Sequence, residues 1–364
     1  MDAFLTDETS CAMLRISRYS LEPRVGTSGL RTVSIDEGSR VQWWRSAVRE
    51  VRRYIDVDAD HPLCVSVPDE QSRVRSHLVR SSIHSVPLPA GSYLTAELDL
   101  SGIFVALESP AHSFASLAAV LDRALHKGRL DQVQARAILL AYGYELCGTY
   151  ALDAADPLTA DAHYRLEPAA TGEDLMAWCQ AQAIRGARGI ALARTCAPEV
   201  QCGSASPAET IHAIMLTSSP ELGGLGMSRE DVLLNQSLHL NLAEQALVHR
   251  LPLTPDITFA QLGGRVLEHQ GGQHDRTLQY REDASRIQDY AALGRPVITT
   301  SATDLASPTA YDAFLRRFLA WVRHDLGPRT ANPYQEILDD PACTDARHHL
   351  LATLTDRIHD QWAW

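Results

Sequence analysis

Pro255-Asp256-Ile257-Thr258-Phe259, then Ala260-Gln261-Leu262-Gly263-Gly264, then Arg265-Val266-Leu267-Glu268-His269-Gln270 ended by Gly271-Gly272, is the stretch that decides the fold of this chain. Two short runs rich in β-branched and apolar residues flank a glycine-bearing turn, which predicts a β-hairpin. In a hairpin symmetric about Leu262, Asp256 and Glu268 face each other. Directly opposed residues have Cβ atoms about 5 Å apart. Two carboxylates that close repel unless a cation lies between them. Side chains alternate along a strand, so Glu268 and Gln270 point to one face. Asp256, Glu268 and Gln270 therefore converge with oxygen donors only. Such a point suits a hard divalent cation, Mg²⁺ or Mn²⁺, with Asp256 and Glu268 as its charged ligands.

Further elements approach the same face. His274 follows the second strand, and a helix predicted over Leu278 to Leu293 carries Asp283 and Arg286 on one side. Upstream, Ser206-Pro207 opens a helix with Glu209 in its first turn. The candidate catalytic set is Glu209, Asp256, Glu268, Gln270, His274, Asp283 and Arg286. Metal-assisted phosphodiester hydrolysis uses such parts: carboxylates hold an ion, a histidine serves as base, and an arginine steadies the transition state. Each residue also has a plain structural use. Asp256 can cap a turn, and Arg265 or Arg286 can be the partner a buried Glu268 requires. Asp283 and Arg286 can form a surface pair, and Glu209 favours a helix dipole in any protein.

Composition narrows the alternatives. The chain has 364 residues, a net charge of −12, and a single lysine, Lys127, among its 33 basic residues. Lys127 sits in His-Lys-Gly-Arg, which excludes a P-loop and the protein kinases. Neither a Gly-x-Gly-x-x-Gly fingerprint nor a Gly-x-Ser-x-Gly elbow occurs, so no nucleotide cofactor is expected. The seven cysteines are scattered without a C-x-x-C, as for reduced thiols, and the acidic N-terminus resembles no signal peptide. Apolar runs fall short of the roughly 20 residues of a membrane span. A cytoplasmic protein is expected.

The fold class expected is α/β (α+β): a mixed sheet flanked by helices in the C-terminal half, preceded by a smaller α+β domain. A boundary is placed near 200, giving 1–200, 201–325 and a helical tail over 326–364. In the first part, apolar residues at spacings of three and four predict an amphipathic helix over 40–55, with Arg45, Arg49, Arg52 and Arg53 on its polar face. Arg73, Arg75 and Arg80 form a second basic group. Both groups are candidate contacts to nucleic-acid phosphates, for which arginine offers a fork of donors. They are equally well solvated surface charges. Strands are predicted at Leu63–Pro68, Ile83–Val86, Gly102–Ala106 and Val232–Leu240. Helices are predicted after Ser109-Pro110, over 131–146 and over 173–195, with Gly186 and Gly189 weakening the last.

Taken in order, the chain has a helix start with Glu, an Asp at a strand end, a strand with Glu-x-Gln, a Gly, a His, and a helix with Asp-x-x-Arg. Ala292-Leu293-Gly294-Arg295-Pro296-Val297 follows. This order resembles the PD-(D/E)XK restriction-endonuclease-like superfamily in its very-short-patch-repair-like branch, over about 200–325. Ser85-Val86-Pro87-Leu88-Pro89, the run Gly102 to Phe114, Glu145-Leu146-Cys147-Gly148-Thr149-Tyr150, Gly186-Ala187-Arg188-Gly189 and Ser206-Pro207-x-Glu209 resemble AbiEi-type antitoxin-like regions. Such regions are often fused to this nuclease-like domain in actinobacterial proteins. The resemblance implies a metal-dependent DNA endonuclease in a defence or toxin–antitoxin setting. Its alternative is a degenerate nuclease fold acting as a binding or regulatory module. The partners implied are DNA and a toxin or other protein, with no membrane. The superfamily's third catalytic residue is usually lysine. Gln270 stands there, which keeps an oxygen and loses the charge.

Overall fold

The computed structural model describes residues 4–19, 31–34, 51–52, 62–67, 69–71, 73, 79–83, 92–98, 103–153, 162–183, 186–270 and 276–355. The chain divides after Val200 into two compact units, the second running from Gln201 to Asp356.

The first unit contains β1 (Phe4–Leu5), α1 (Asp7–Tyr19), β2 (Arg31–Ser34), β3 (Leu63–Val67), β4 (Val79–Ile83), β5 (Tyr93–Leu98) and β6 (Ile103–Glu108). These are followed by α2 (Pro110–His126), α3 (Gln132–Cys147), β7 (Tyr150–Leu152), β8 (Ala162–Tyr164), α4 (Gly172–Ala183) and α5 (Ile190–Cys196). Six strands form one mixed sheet in the order β2-β5-β6-β1-β3-β4, and β7 pairs with β8. The two-residue β1 lies parallel to β6 and antiparallel to β3. Helix α2 starts where Ser109-Pro110 predicts, and buries Phe114, Leu117, Ala118, Leu121 and Ala124, one face at helical spacing. Asp131 caps α3: its carboxylate accepts from the Gln134 N–H at 3.0 Å, and Gln134 accepts from the Asp131 N–H at 3.0 Å. The helix expected over 173–195 is two helices. Gly189 at φ 70° starts the second, and a Cβ there would meet the Ala118 backbone at 2.5 Å. Arg15 reaches from α1 to Glu145 of α3 in a two-point pair, Nε to Oε1 at 2.7 Å and Nη2 to Oε2 at 2.8 Å. Strand β4 begins earlier than the expected Ile83–Val86, whose last three residues lie outside the described residues.

The second unit contains α6 (Pro207–Thr217), β9 (Val232–Leu234), α7 (Leu242–Gln245), β10 (Ile257–Phe259), β11 (Arg265–Gln270), α8 (Arg276–Ala292) and β12 (Val297–Ser301). It closes with α9 (Ala302–Leu305), α10 (Pro308–Leu326), α11 (Pro328–Asp339) and α12 (Pro341–Thr355). A four-stranded sheet runs β12-β11-β10-β9. The pairs β9/β10 and β10/β11 are antiparallel, whereas β12 returns parallel to β11 after α8. This is a mixed sheet flanked by helices. The hairpin register pairs Ile257 with Leu267, Thr258 with Val266 and Phe259 with Arg265. Continued by one residue, it sets Asp256 opposite Glu268. Gly263 and Gly264, at φ 72° and 67°, supply consecutive left-handed residues to the turn.

Alternation along β11 sorts its side chains between two layers. Val266 packs with Leu253 and Tyr290. On the other face Arg265 pairs with Asp325 of α10 at 2.9 Å, and its guanidinium lies over Trp321. One expectation is corrected. The strand expected over Val232–Leu240 stops at Leu234, because Asn235 turns left-handed at φ 47°. The tail expected to be helical from 326 carries α11 and α12, and its described residues group with the second unit. Its Leu338, Leu350 and Leu351 are buried, and the buried Arg347 donates to Asp312 of α10 at 2.6 Å. Among the described residues no helix is long and apolar enough to cross a membrane.

Candidate active site

The hairpin builds the centre of the site. Asp256 stands one residue before β10, where its Oδ2 accepts the backbone N–H of His269 at 2.6 Å. Its Oδ1 lies 3.5 Å from Nη2 of Arg286. The same nitrogen donates to Oε2 of Glu268, and Oε1 of Glu268 accepts from the Tyr290 hydroxyl at 2.9 Å. Arg286 and Tyr290 lie four residues apart on α8, so they share a helix face over the strand. The two carboxylates do converge, and the cation between them is the Arg286 guanidinium.

Glu209 joins them from the first turn of α6. Its Oε2 accepts from the Ala205 N–H at 2.7 Å and from the Asn235 side-chain amide, and its Oε1 accepts from the Ser206 hydroxyl at 2.9 Å. Asn235 ties this carboxylate to the hairpin. Its backbone N–H donates to the Asp256 carbonyl at 3.1 Å, and its amide also reaches the Gly203 carbonyl at 3.0 Å. Burial, then the Asp256 charge, push Glu209 up to about 7. The same two causes push Glu268 up to about 8, against the pull of Arg286. Burial opposes the charge of Arg286, yet Glu268 and Asp256 outweigh it and hold the guanidinium firmly protonated. Among the described residues, Arg286 is the guanidinium that faces both Asp256 and Glu268.

Behind the sheet lies a chain of neutral donors and acceptors. His269 Nδ1 meets Thr300 Oγ1 at 2.9 Å, and Thr300 meets His212 Nε2 at 2.9 Å. His212 Nδ1 lies 3.3 Å from the Tyr311 hydroxyl. Burial, then the neighbouring His269, drive His212 down to about 3, so its imidazole stays uncharged.

The remaining expectations fall unevenly. Gln270 ends β11 exposed, in register with Ser301 of β12. Asp283 lies in α8, but its side chain is outside the described residues, as is the whole of His274. Arg45, Arg49, Arg53 and Arg75 also lie outside them. Arg52 is helical and half-buried. Arg73 pairs with Glu70 at 3.1 Å and donates to the Ser81 carbonyl at 3.2 Å, while Arg80 donates to Cys64 Sγ at 3.0 Å. Asn235, Tyr290, His212 and Thr300 were not foreseen. Tyr290 carried a signal, its i+4 spacing from Arg286. Asn235 carried a weaker one, the tolerance of asparagine for left-handed backbone.

Among the described residues no group of three or more His, Cys, Asp or Glu side chains is placed to share an ion. The pair Asp256 and Glu268 nevertheless fits a hard divalent cation, because such ions take one or two protein carboxylates and complete their shell with water and substrate phosphate. Asp256 and Glu268 supply those two oxygen donors from facing strands. Comparison with protein-family models, curated proteins and solved structures finds no match to the chain.

Proposed function

We propose that the second unit is a metal-dependent phosphodiesterase, a DNA endonuclease of the PD-(D/E)XK type in its very-short-patch-repair-like branch. The first unit is then an AbiEi-like region that engages substrate or a partner protein, in a defence or toxin–antitoxin setting. The observation that carries this reading is the convergence of Asp256 and Glu268, from facing strands, on one nitrogen of Arg286, with Glu209 adjoining. The order of helix, antiparallel strands, helix and parallel return strand supports it. So does the place of each acid, at a helix start, a strand end and a strand interior.

Asp256 and Glu268 would hold Mg²⁺ or Mn²⁺. Such an ion, when bound, acidifies water and neutralises phosphate charge. Glu209, pushed up to about 7, holds and releases a proton near neutrality, as a general acid or base must. Arg286, displaced from the carboxylates, offers its forked donors to phosphate oxygens. Gln270 at the exposed strand end orients water through its amide.

A second reading is favoured by the same guanidinium. Arg286 already compensates Asp256 and Glu268, and Gln270 stands where the superfamily usually has lysine. On this reading the fold is a catalytically silent module that binds DNA or a toxin. Plasmid incubation with Mg²⁺ or Mn²⁺ separates the two. Nicking by the wild type, lost in Asp256→Ala plus Glu268→Ala, supports the enzyme. Equal absence of nicking in both overturns it and leaves the binding module.

A further inference from the structure

Four cations gather around one cavity of the first unit. The cavity encloses about 410 Å³, and Asp7, Arg80, Ser82, Arg123, Lys127 and Arg129 are among its lining residues. The chain as a whole carries a net charge of −12. Here four positive side chains meet a single carboxylate, and one of the four is the only lysine in the sequence. Three elements supply them. Asp7 opens α1, Arg80 and Ser82 lie on β4, and Arg123, Lys127 and Arg129 come from the end of α2 and just beyond it.

A helix C-terminus favours basic residues for its dipole alone. That accounts for Arg123 and Lys127, but not for Arg80, which arrives from the sheet. Arg123 and Lys127 are also spaced i,i+4, where like charges repel. Asp7 offsets part of the excess, its Oδ2 lying 3.8 Å from Arg123 Nη2. The cavity lining retains three more positive charges than negative ones. A bound oxyanion relieves this repulsion. Arginine forks and a serine hydroxyl together are the donor set that recognises its oxygens.

We propose that this cavity binds a phosphate group, carried either by a small phosphorylated molecule or by the terminal phosphate of a nucleic acid. The site belongs to the first unit alone and stands whether or not the second unit cleaves DNA.

The test is calorimetric titration of the full chain, in chelator, with inorganic phosphate and with two oligonucleotides identical except for a 5′-phosphate or 5′-hydroxyl. Inorganic phosphate is expected to bind, more weakly as salt is raised. Lys127 and Arg129 are exposed, so Lys127→Gln plus Arg129→Gln leaves the fold intact. That double variant should weaken binding about tenfold or more, the effect of losing charge-assisted contacts. Arg329→Gln, exposed in the second unit, should change nothing. Tighter binding of the 5′-phosphorylated strand than of its hydroxyl twin supports the proposal with a nucleic-acid end as ligand. Equal binding of the two strands, with phosphate itself still bound, supports it with a small phosphate as ligand. Absence of phosphate binding by the folded wild type overturns the proposal. So does an equal loss from Arg329→Gln, which would mark a bulk charge effect.

Discussion

The backbone N–H of His269 donates to Asp256 Oδ2 at 2.6 Å. The strand that carries Glu268 therefore also fixes the acid facing it, and the two cannot relax apart without breaking the hairpin. The consequence is a pH dependence. Glu268 and Glu209 titrate near 8 and 7 in the folded chain, against 4.5 for an ordinary glutamate. Between those values the folded state binds more protons than the unfolded one. The stability this confers is complete below the ordinary value and is lost as pH rises through 7 and 8. The Tm of the second unit should fall from about pH 6 to about pH 8.5, and Glu268→Gln should flatten that fall. An unaltered slope in the variant would refute the assignment.

Divalent cation should reverse the loss. A ligand that binds only the folded state stabilises by mass action, about 2.7 kcal/mol at a hundred times its Kd. Carboxylate ligands must first lose their protons, so the gain grows with pH. Mn²⁺ should raise Tm more at about pH 8 than at about pH 5.5. Asp256→Asn should abolish the shift. A shift of the same size in that variant places the ion elsewhere.

Arg286→Gln removes the one guanidinium between two acids. Breaking a buried ion pair costs 3–5 kcal/mol, but the Arg286 side chain is 28% exposed, so about 1–3 kcal/mol is expected after discounting for solvent. Mn²⁺ should recover most of this, since an ion then takes the vacated place. Urea unfolding with and without Mn²⁺ measures both quantities. Loss without recovery counts for the silent module.

The hairpin was legible because its information is local. A glycine turn and two alternating runs fix the register about Leu262, and with it the facing of Asp256 and Glu268. What failed depended on tertiary choices. Burial of Glu268 left Arg265 and Arg286 both open as its partner; that Arg286 crosses to it while Arg265 turns to Asp325 is a tertiary choice that spacing does not report. Asn235 ended a run that hydrophobicity alone carries to Leu240, because one left-handed residue outweighs the apolar pattern after it. Strand β1 is two residues long and is a strand only because β3 and β6 close on either side of it. No window of sequence reports such a contact.

In the first unit the Arg15–Glu145 pair is buried on both sides, with side-chain exposures of 9% and 3%. Arg15→Met leaves a carboxylate without its two-point partner, and should cost about 3–5 kcal/mol. Arg15→Met with Glu145→Leu removes both charges and should recover most of the loss, because apolar packing replaces a costly desolvated pair. A double variant no more stable than the single would show that the Leu152 N–H, which donates to Glu145 Oε1 at 3.0 Å, is the tie that Glu145→Leu cannot replace.

His212 gives the opposite limb of the pH profile. It is fully buried and pushed down to about 3, against 6.5 for an ordinary histidine. Below the ordinary value the unfolded chain takes up a proton that the folded chain refuses. Stability from this group is therefore present above that value and is lost as pH falls toward 3. His212→Gln should lower stability at neutral pH by about 1–3 kcal/mol, through the lost contacts to Thr300 and Tyr311. It should also make the acid limb shallower. Two limbs of opposite sign, one from His212 and one from Glu268 and Glu209, place the stability maximum from these groups near about pH 4.5, because above it two glutamates lose stability while one histidine gains it. Unfolding free energies across pH, for wild type and both variants, test whether each limb belongs to its residue. An acid limb unchanged by His212→Gln would assign the acid sensitivity of this unit to another group.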